Sequence, residues 1–348
     1  MNILLIAPAS GNWYQVGRSP IFSGKVFRFS LLSLLSVAAE TPENIDVEIV
    51  DEQVQRIPWD RRFDLVGITC MTAAAPRAHE LARRFRHLGT PVVLGGMHPT
   101  FMPDEALRHA DAVCVGEAEG LWSRIVEDAR LGRLQGVYRG MPADLARLRR
   151  APRRLLRARD YATIQAVQAT RGCPNHCAFC AVSAFHSGRH RVRPVPDVIA
   201  EISELPRRFL VFTDDSLTAD PDYARELFRA LRPLNRRWIS QSTLSITEDP
   251  ELPRLAAEAG CIGLFVGLET LTRASLDGMN KSFHRVDEYR DRVRLLHDHG
   301  IGVQAGIVFG FDRDDRGVFR RTLGILDDLE IDMIQVSILT PLPGTPWY

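Results

Sequence analysis

Short apolar runs alternate with helical segments along most of the chain, and this alternation restricts the fold more than any other feature. Within residues 1–130 the β-rich runs are 2–7, 45–50, 64–69, 91–94 and 112–115. Helical segments separate them: an apolar stretch near 28–40, then 76–88 with Gly89 placed to stop it, then 104–109 and about 117–129. Runs this short and this apolar suit parallel strands covered on both faces. Five such units predict an α/β, doubly wound, Rossmann-like sheet whose ligand site lies beyond the carboxyl ends of its strands.

A second series fills residues 163–348. Its strand-like runs are 164–169, 209–213, 238–241, 262–268, 302–309 and 333–339, with helices clearest at 223–231, 250–259 and 287–299. Six strands returning through helices predict a partial (β/α)6 barrel, with chemistry at the carboxyl ends of the strands. Polar residues stand there: Arg171 to Cys180 after the first strand, Asp214 and Asp215 after the second, Ser242 and Thr243 after the third, Glu269 after the fourth, and Gly310-Phe311-Asp312 after the fifth. Asp214 and Asp215 suit either substrate contact or capping of the following helix. The last strand has no helix to cover it before Tyr348, so the barrel is expected to be truncated or to continue in an extension.

Composition narrows the class. The chain has 348 residues, 45% apolar and 25% charged, the balance of a globular protein. Lys+Arg (44) against Asp+Glu (43) leaves a formal charge of +1, so no global field draws it to nucleic acid. No apolar run approaches the roughly 18 residues of a transmembrane segment, and Met1 to Ile6 lacks a basic leader region. A cytoplasmic protein is expected. Cys70 and Cys114 in apolar runs, and Cys261 just before one, read as buried free thiols.

In the first domain, three strand ends carry the residues a ligand site would use. These are Thr69-Cys70-Met71-Thr72, Gly95-Gly96-Met97-His98-Pro99-Thr100 and Gly116-Glu117. Glycines let a large flat ligand approach the backbone, and hydroxyls offer hydrogen bonds to its edge. No G-x-G-x-x-G follows the first strand, so a dinucleotide is not supported. The stretch 131–162 between the domains is rich in arginine, with nine between Arg133 and Arg159 against the single acid Asp144. It reads as a docking connector or, through Arg149 and Arg150, as a basic wall for a phosphate-bearing ligand.

Cys173-x3-Cys177-x2-Cys180 follows the first barrel strand. Three thiolates on one loop can hold three irons of a [4Fe-4S] cluster and leave the fourth open, as a catalytic zinc keeps one position free. Zinc is the competitor. His186 or His190 would complete a Cys3His site, and Arg189, Arg191 and Arg193 would then suit nucleic acid, giving a zinc-stabilised binding module.

Arg171-Gly172-Cys173-Pro174-Asn175-His176-Cys177-Ala178-Phe179-Cys180 resembles the cluster motif of the radical S-adenosylmethionine (SAM) superfamily. The first domain is similar to the cobalamin-binding domain that precedes such barrels in one large subfamily. The matching pieces are Gly67 to Thr72, Gly95 to Thr100 and Ala110 to Glu119. The resemblance implies that Cys173, Cys177 and Cys180 bind the cluster, and that its open iron chelates SAM and delivers the electron that yields a 5′-deoxyadenosyl radical. It places Phe179 (through its backbone), Ser242, Glu269, Gly306 and Gly310 at SAM. Glu269 could otherwise cap a helix beginning near Leu271 and Thr272. Thr69, Met71, Thr72, Gly95, Gly96, His98, Gly116 and Glu117 fall at cobalamin. One departure stands out: the loop Pro8 to Gln15 has no histidine to ligate cobalt, though Trp13 and Tyr14 could lie against the corrin. Either cobalamin binds without that ligand or the domain has lost it.

The expected activity is cobalamin-dependent C-methylation of an unactivated carbon. The alternative is radical cyclisation, ring contraction or C–C bond formation without methyl transfer. The expected partners are a small-molecule or lipid-like substrate and an electron donor such as flavodoxin or ferredoxin.

Overall fold

Strand β1 (Asn2–Ala7) shows why the first sheet is covered twice: Leu4 and Ile6 enter one apolar core, Ile3 and Leu5 another. The computed structural model describes residues 1–9, 31–271, 275–276, 279, 281 and 285–348. Two compact units are formed, Met1–Ala166 and Val167–Tyr348.

In the first unit α1 (Leu32–Ala39) is followed by β2 (Asp46–Asp51), β3 (Leu65–Thr69), α2 (Ala75–His87) and β4 (Val92–Gly95). Then come α3 (Met97–Phe101), α4 (Pro103–Leu107), β5 (Ala112–Val115), α5 (Trp122–Arg130) and β6 (Gly136–Arg139). The sheet is parallel, in the order β2-β1-β3-β4-β5-β6. Alternate residues of each strand feed opposite cores, Val66, Ile68, Val92 and Leu94 on one side and Leu65 and Val93 on the other. Helix α2 covers the first core with Ala78, Leu81, Ala82 and Phe85. Helices α1 and α5 cover the second with Leu34, Leu35, Trp122 and Ile125. The order reverses between β1 and β3, so their carboxyl ends form the switch point where such sheets bind ligands.

Strand β6 was not expected. It lies in the arginine-rich stretch and extends the sheet as an edge strand in which only Tyr138 is buried, so no apolar run announces it. Leu156 and Tyr161 further along enter the second core, and buried Asp160 accepts a hydrogen bond from Gln55. Arg149 and Arg150 stay exposed.

The second sheet has the order β14-β13-β12-β11-β10-β7. Its strands are β7 (Ala166–Val167), β10 (Phe209–Phe212), β11 (Arg237–Ser242), β12 (Cys261–Glu269), β13 (Gly302–Phe309) and β14 (Met333–Ile338). Pairing from β10 to β14 is parallel throughout. Helices α6 (Ala181–His186), α7 (Val195–Ser203), α8 (Pro221–Leu231), α9 (Glu251–Glu258), α10 (Tyr289–Asp298) and α11 (Val318–Asp328) intervene. The second unit is a partial (β/α)6 barrel and the first a doubly wound domain. Trp238 anchors the barrel core between Phe212 and Phe228, its indole N–H donating to Ala259 O at 3.0 Å.

The strand expected at 164–169 is cut short after β7. Fully buried Asp214 accepts the backbone N–H groups of Ala169 and Thr170 and the Thr170 hydroxyl, drawing the chain out of the sheet. It re-forms as β8 (Thr170–Arg171), paired antiparallel with β9 (Arg191–Val192). The cysteine motif is the excursion between those two short strands. In β14, Met333, Ile334, Val336 and Ile338 are exposed.

Candidate functional site

The cysteine loop is closed at its root by contacts only glycine permits. Gly172 has φ +83°, and a Cβ there would stand 2.0 Å from Arg189 O. Its N–H donates to Asp215 Oδ2 at 2.8 Å. Asp214 and Asp215 therefore hold the start of the loop, and neither caps helix α8. That task falls to Asp220, whose carboxylate accepts from Asp222 and Tyr223 N–H at 3.1 Å. Further along, Ala178 N–H donates to Met279 O at 3.0 Å, and the Ser183 hydroxyl to Asn175 O.

All three thiols are free, and charge on Cys180 acts on both Cys173 and Cys177. Burial pushes the Cys177 thiol up to about 11 and raises Cys173 and Cys180. The backbone N–H of Asn175 points at Cys173 Sγ, and those of Val182 and Ser183 at Cys180 Sγ. Such donors favour thiolate, the form that binds iron. Among the described residues, Cys173, Cys177 and Cys180 do not form, alone or with His186 or His190, a group of ligand atoms that all lie within 4.8 Å of one another. A single tetrahedral zinc needs ligands closer than that, since Zn–S is about 2.3 Å. Three thiols on one loop, two of them with N–H···S support, fit a multinuclear cluster. The flanking arginines also turn away from a nucleic-acid role: Arg193 is buried against Glu201 at 2.8 Å, and Arg191 lies 3.3 Å from His186 Nδ1.

Three other barrel strands and the cysteine loop itself carry the expected SAM residues. Ser242 is buried, its hydroxyl against Thr218 Oγ1 and donating to Thr243 O at 3.0 Å. Glu269 ends β12 at φ +63°, a left-handed conformation unusual for a residue with a side chain, just past a register shift against β13. Its Oε1 lies 2.7 Å from Lys281 Nζ, which also donates to Gly267 O at 2.8 Å. The carboxylate is thus committed to a buried ion pair. The 272–274 segment it might have capped lies outside the described residues. Both charges act on the Cys177 thiol. Sequence reasoning missed Lys281, although a signal existed: it is one of only two lysines in a chain whose other basic residues are arginines. Gly306 packs on Phe265, and Gly310 at φ +106° donates its N–H to Asp314 Oδ2 at 2.7 Å. The Phe179 ring packs with Leu276, Met279, Phe311 and Trp347, leaving its backbone as the part to meet a ligand.

In the first unit the three expected strand-end segments share one sheet edge. Gly96 at φ +98° passes so close to β3 that a Cβ would stand 2.7 Å from Thr69 Oγ1. Thr100 Oγ1 donates to Gly96 O at 2.8 Å and accepts from Gly116 N at 3.0 Å, tying two of the segments together. Met71 is 62% exposed, an uncovered apolar side chain on the segment that follows β3. Exposed apolar surface beside bare glycine backbone fits a broad, flat ligand such as a corrin. Two expected residues turn inward: the Glu117 carboxylate accepts Ala143 N–H at 2.7 Å, and the His98 ring is buried with Nδ1 3.4 Å from Thr72 Oγ1. Trp13, Tyr14 and the rest of that loop from Ser10 lie outside the described residues. Cys70, Cys114 and Cys261 are buried free thiols, each pushed by burial up to about 12. Among the described residues no helix is long and apolar enough to cross a membrane.

Residues 167–320 match the radical SAM superfamily and residues 31–126 the B12 binding domain. Bacteriochlorophyllide d C-12(1)-methyltransferase of Chlorobaculum tepidum is 31% identical over 334 residues, covering 91% of this chain and 72% of its own length. The C-8(2)-methyltransferase of the same organism is 29% identical, covering 88% and 73%. Among solved structures, the radical SAM methyltransferase TsrM of Kitasatospora setae, with cobalamin and a [4Fe-4S] cluster bound, superposes with a TM-score of 0.75 at 19% identity, covering 99% of this chain and 76% of that one. That likeness is one of fold. The chain belongs to the radical SAM superfamily, in the group of cobalamin-dependent methyltransferases that carry an N-terminal B12-binding domain. It is an enzyme, and its cofactors are a [4Fe-4S] cluster, SAM and cobalamin.

Proposed function

We propose that this enzyme transfers a methyl group to an unactivated carbon of a small organic substrate by a radical route. The observation that carries the reading is one chain joining the Cys173-x3-Cys177-x2-Cys180 loop of a radical SAM domain to a B12-binding domain. Bound there, cluster and SAM supply the oxidising radical that removes hydrogen, and cobalamin supplies the methyl carrier. Cys173, Cys177 and Cys180 hold the cluster, with Asn175, Val182 and Ser183 N–H groups steadying the sulfurs. Glu269, oriented by Lys281, offers a carboxylate to the amino group of SAM, while Ser242, Gly306, Gly310 and the Phe179 backbone border its nucleoside. Thr69, Met71, Thr72, Gly95, Gly96 and Gly116 form the cobalamin edge, to which His98 and Glu117 contribute by fixing the backbone. A one-electron donor such as flavodoxin or ferredoxin reduces the cluster.

The similar relatives act, by name, on bacteriochlorophyllide d, so a tetrapyrrole of that kind is the first substrate to test. Reconstituted enzyme is incubated anaerobically with methyl-labelled SAM, reductant and candidate substrate. Labelled product together with 5′-deoxyadenosine and S-adenosylhomocysteine is the expected result. Deoxyadenosine with an unmethylated, rearranged product would replace this reading with cyclisation, ring contraction or C–C coupling.

A further inference from the structure

We infer that His79, His98 and Glu105 form a binding site for a divalent transition-metal ion of the zinc type, built wholly from the N-terminal unit. The three come from different elements: His79 from α2, His98 from α3 and Glu105 from α4. One ligand atom from each lies within 4.8 Å of the others. Glu105 Oε1 stands 3.8 Å from His79 Nδ1 and 3.7 Å from His98 Nε2.

Those separations are too long for hydrogen bonds. They nearly match the roughly 3.4 Å between donors that each stand about 2.0–2.1 Å from a tetrahedral ion. Closure of a few tenths of an ångström would bring Glu105 to that spacing from each imidazole. The imidazoles are only 7% and 5% exposed, yet Nε2 of His98, the atom that faces Glu105, finds no hydrogen-bond partner. Buried polar atoms left in this state are costly and uncommon.

Thr72 explains the direction in which His98 is set. The Nδ1 edge of His98 lies 3.4 Å from the Thr72 hydroxyl, which leaves Nε2 as the edge directed at the Glu105 carboxylate. The Glu105 side chain is 31% exposed, so the site has an opening for ion entry and for a water in the fourth position. Two imidazoles and one carboxylate, without sulfur, suit zinc or a neighbouring divalent ion. The consequence is mechanical. An ion there would staple α2, α3 and α4 together and hold the Gly96–Thr100 turn, whose Thr100 hydroxyl bridges Gly96 and Gly116.

The test uses the full chain with its cluster reconstituted anaerobically, so that iron occupies the thiols. After removal of loosely held metal, the protein is titrated with Zn(II), desalted and analysed for zinc and iron, and the zinc K-edge absorption is recorded. About one retained zinc per chain is expected, with a nitrogen/oxygen shell near 2.0–2.1 Å and no sulfur shell. Glu105→Gln and His98→Gln should each weaken zinc binding by about tenfold or more while iron content stays unchanged. Failure to retain zinc, a sulfur shell near 2.3 Å, or unchanged affinity in both variants would overturn the proposal. Should either variant misfold, the absorption edge of the unmodified chain decides alone.

Discussion

Lys281 Nζ lies 2.7 Å from Glu269 Oε1, and both side chains are nearly buried at the end of β12. Removing one partner of a buried pair strands the other charge, which costs about 3 kcal/mol or more. Glu269→Ala is therefore expected to lower unfolding stability by about 3 kcal/mol. The double change Glu269→Gln with Lys281→Met should recover most of that loss, because no charge is left unpaired. Denaturant unfolding of the three proteins checks this. A double variant no more stable than the single one would show that the pair is not the source.

Burial of Asp214 is expected to give the fold a pH dependence. Burial raises its carboxyl from 3.8 to about 7, against the donors at Thr170 and Ala169 that pull it down. A raised folded value means that the folded state prefers the protonated acid. Stability is full below about pH 4 and declines as the pH rises through about 7, by about 4 kcal/mol for the whole shift. Thermal melts from pH 4 to 8 should show Asp214→Asn without this component of the decline. Parallel profiles for the two proteins would contradict it.

Gly172→Ala should damage the cluster loop rather than the barrel. The added methyl meets Arg189 O at 2.0 Å, on a backbone at φ +83°. Iron per chain after reconstitution is expected to fall to less than about half, because the loop can no longer be held by Asp215. Cys261→Ser, which alters a buried thiol in the strand β12, serves as the control and should keep its iron.

Thr100→Val removes the hydroxyl that joins Gly96 O to Gly116 N–H. The lost bridge costs about 1–3 kcal/mol and loosens the strand-end edge. Affinity for hydroxocobalamin, followed by its visible spectrum, is expected to drop about tenfold. Unchanged affinity would place the corrin elsewhere.

Strands with strong apolar alternation or continuous apolar character were legible without coordinates. Asn2–Ala7, Ala112–Val115 and Gly302–Phe309 lie where the sequence reading puts them, because burial on both faces leaves a plain signature. Features set by long-range partners were not legible. Strand β6 is a half-exposed edge in an arginine-rich stretch, and β7 ends early because Asp214, 45 positions away from Ala169, takes its N–H. The acids Asp214 and Asp215 looked like substrate contacts or caps, yet their work is to hold the cysteine loop. The His79–His98–Glu105 grouping needs three elements to meet, which no local spacing encodes. The cysteine motif was the opposite case, since its ligands share one loop and their spacing is itself the signal.

The most direct measurement is electron paramagnetic resonance of the anaerobically reconstituted, reduced enzyme before and after SAM is added. About four irons per chain are expected, with a spectrum that shifts on SAM addition, and with Glu269→Gln demanding about tenfold more SAM for the same shift. Replacing Cys173, Cys177 and Cys180 together with alanine should abolish the signal. A zinc-loaded loop without iron, or a cluster signal that SAM leaves unmoved, would contradict an iron open to SAM in this enzyme.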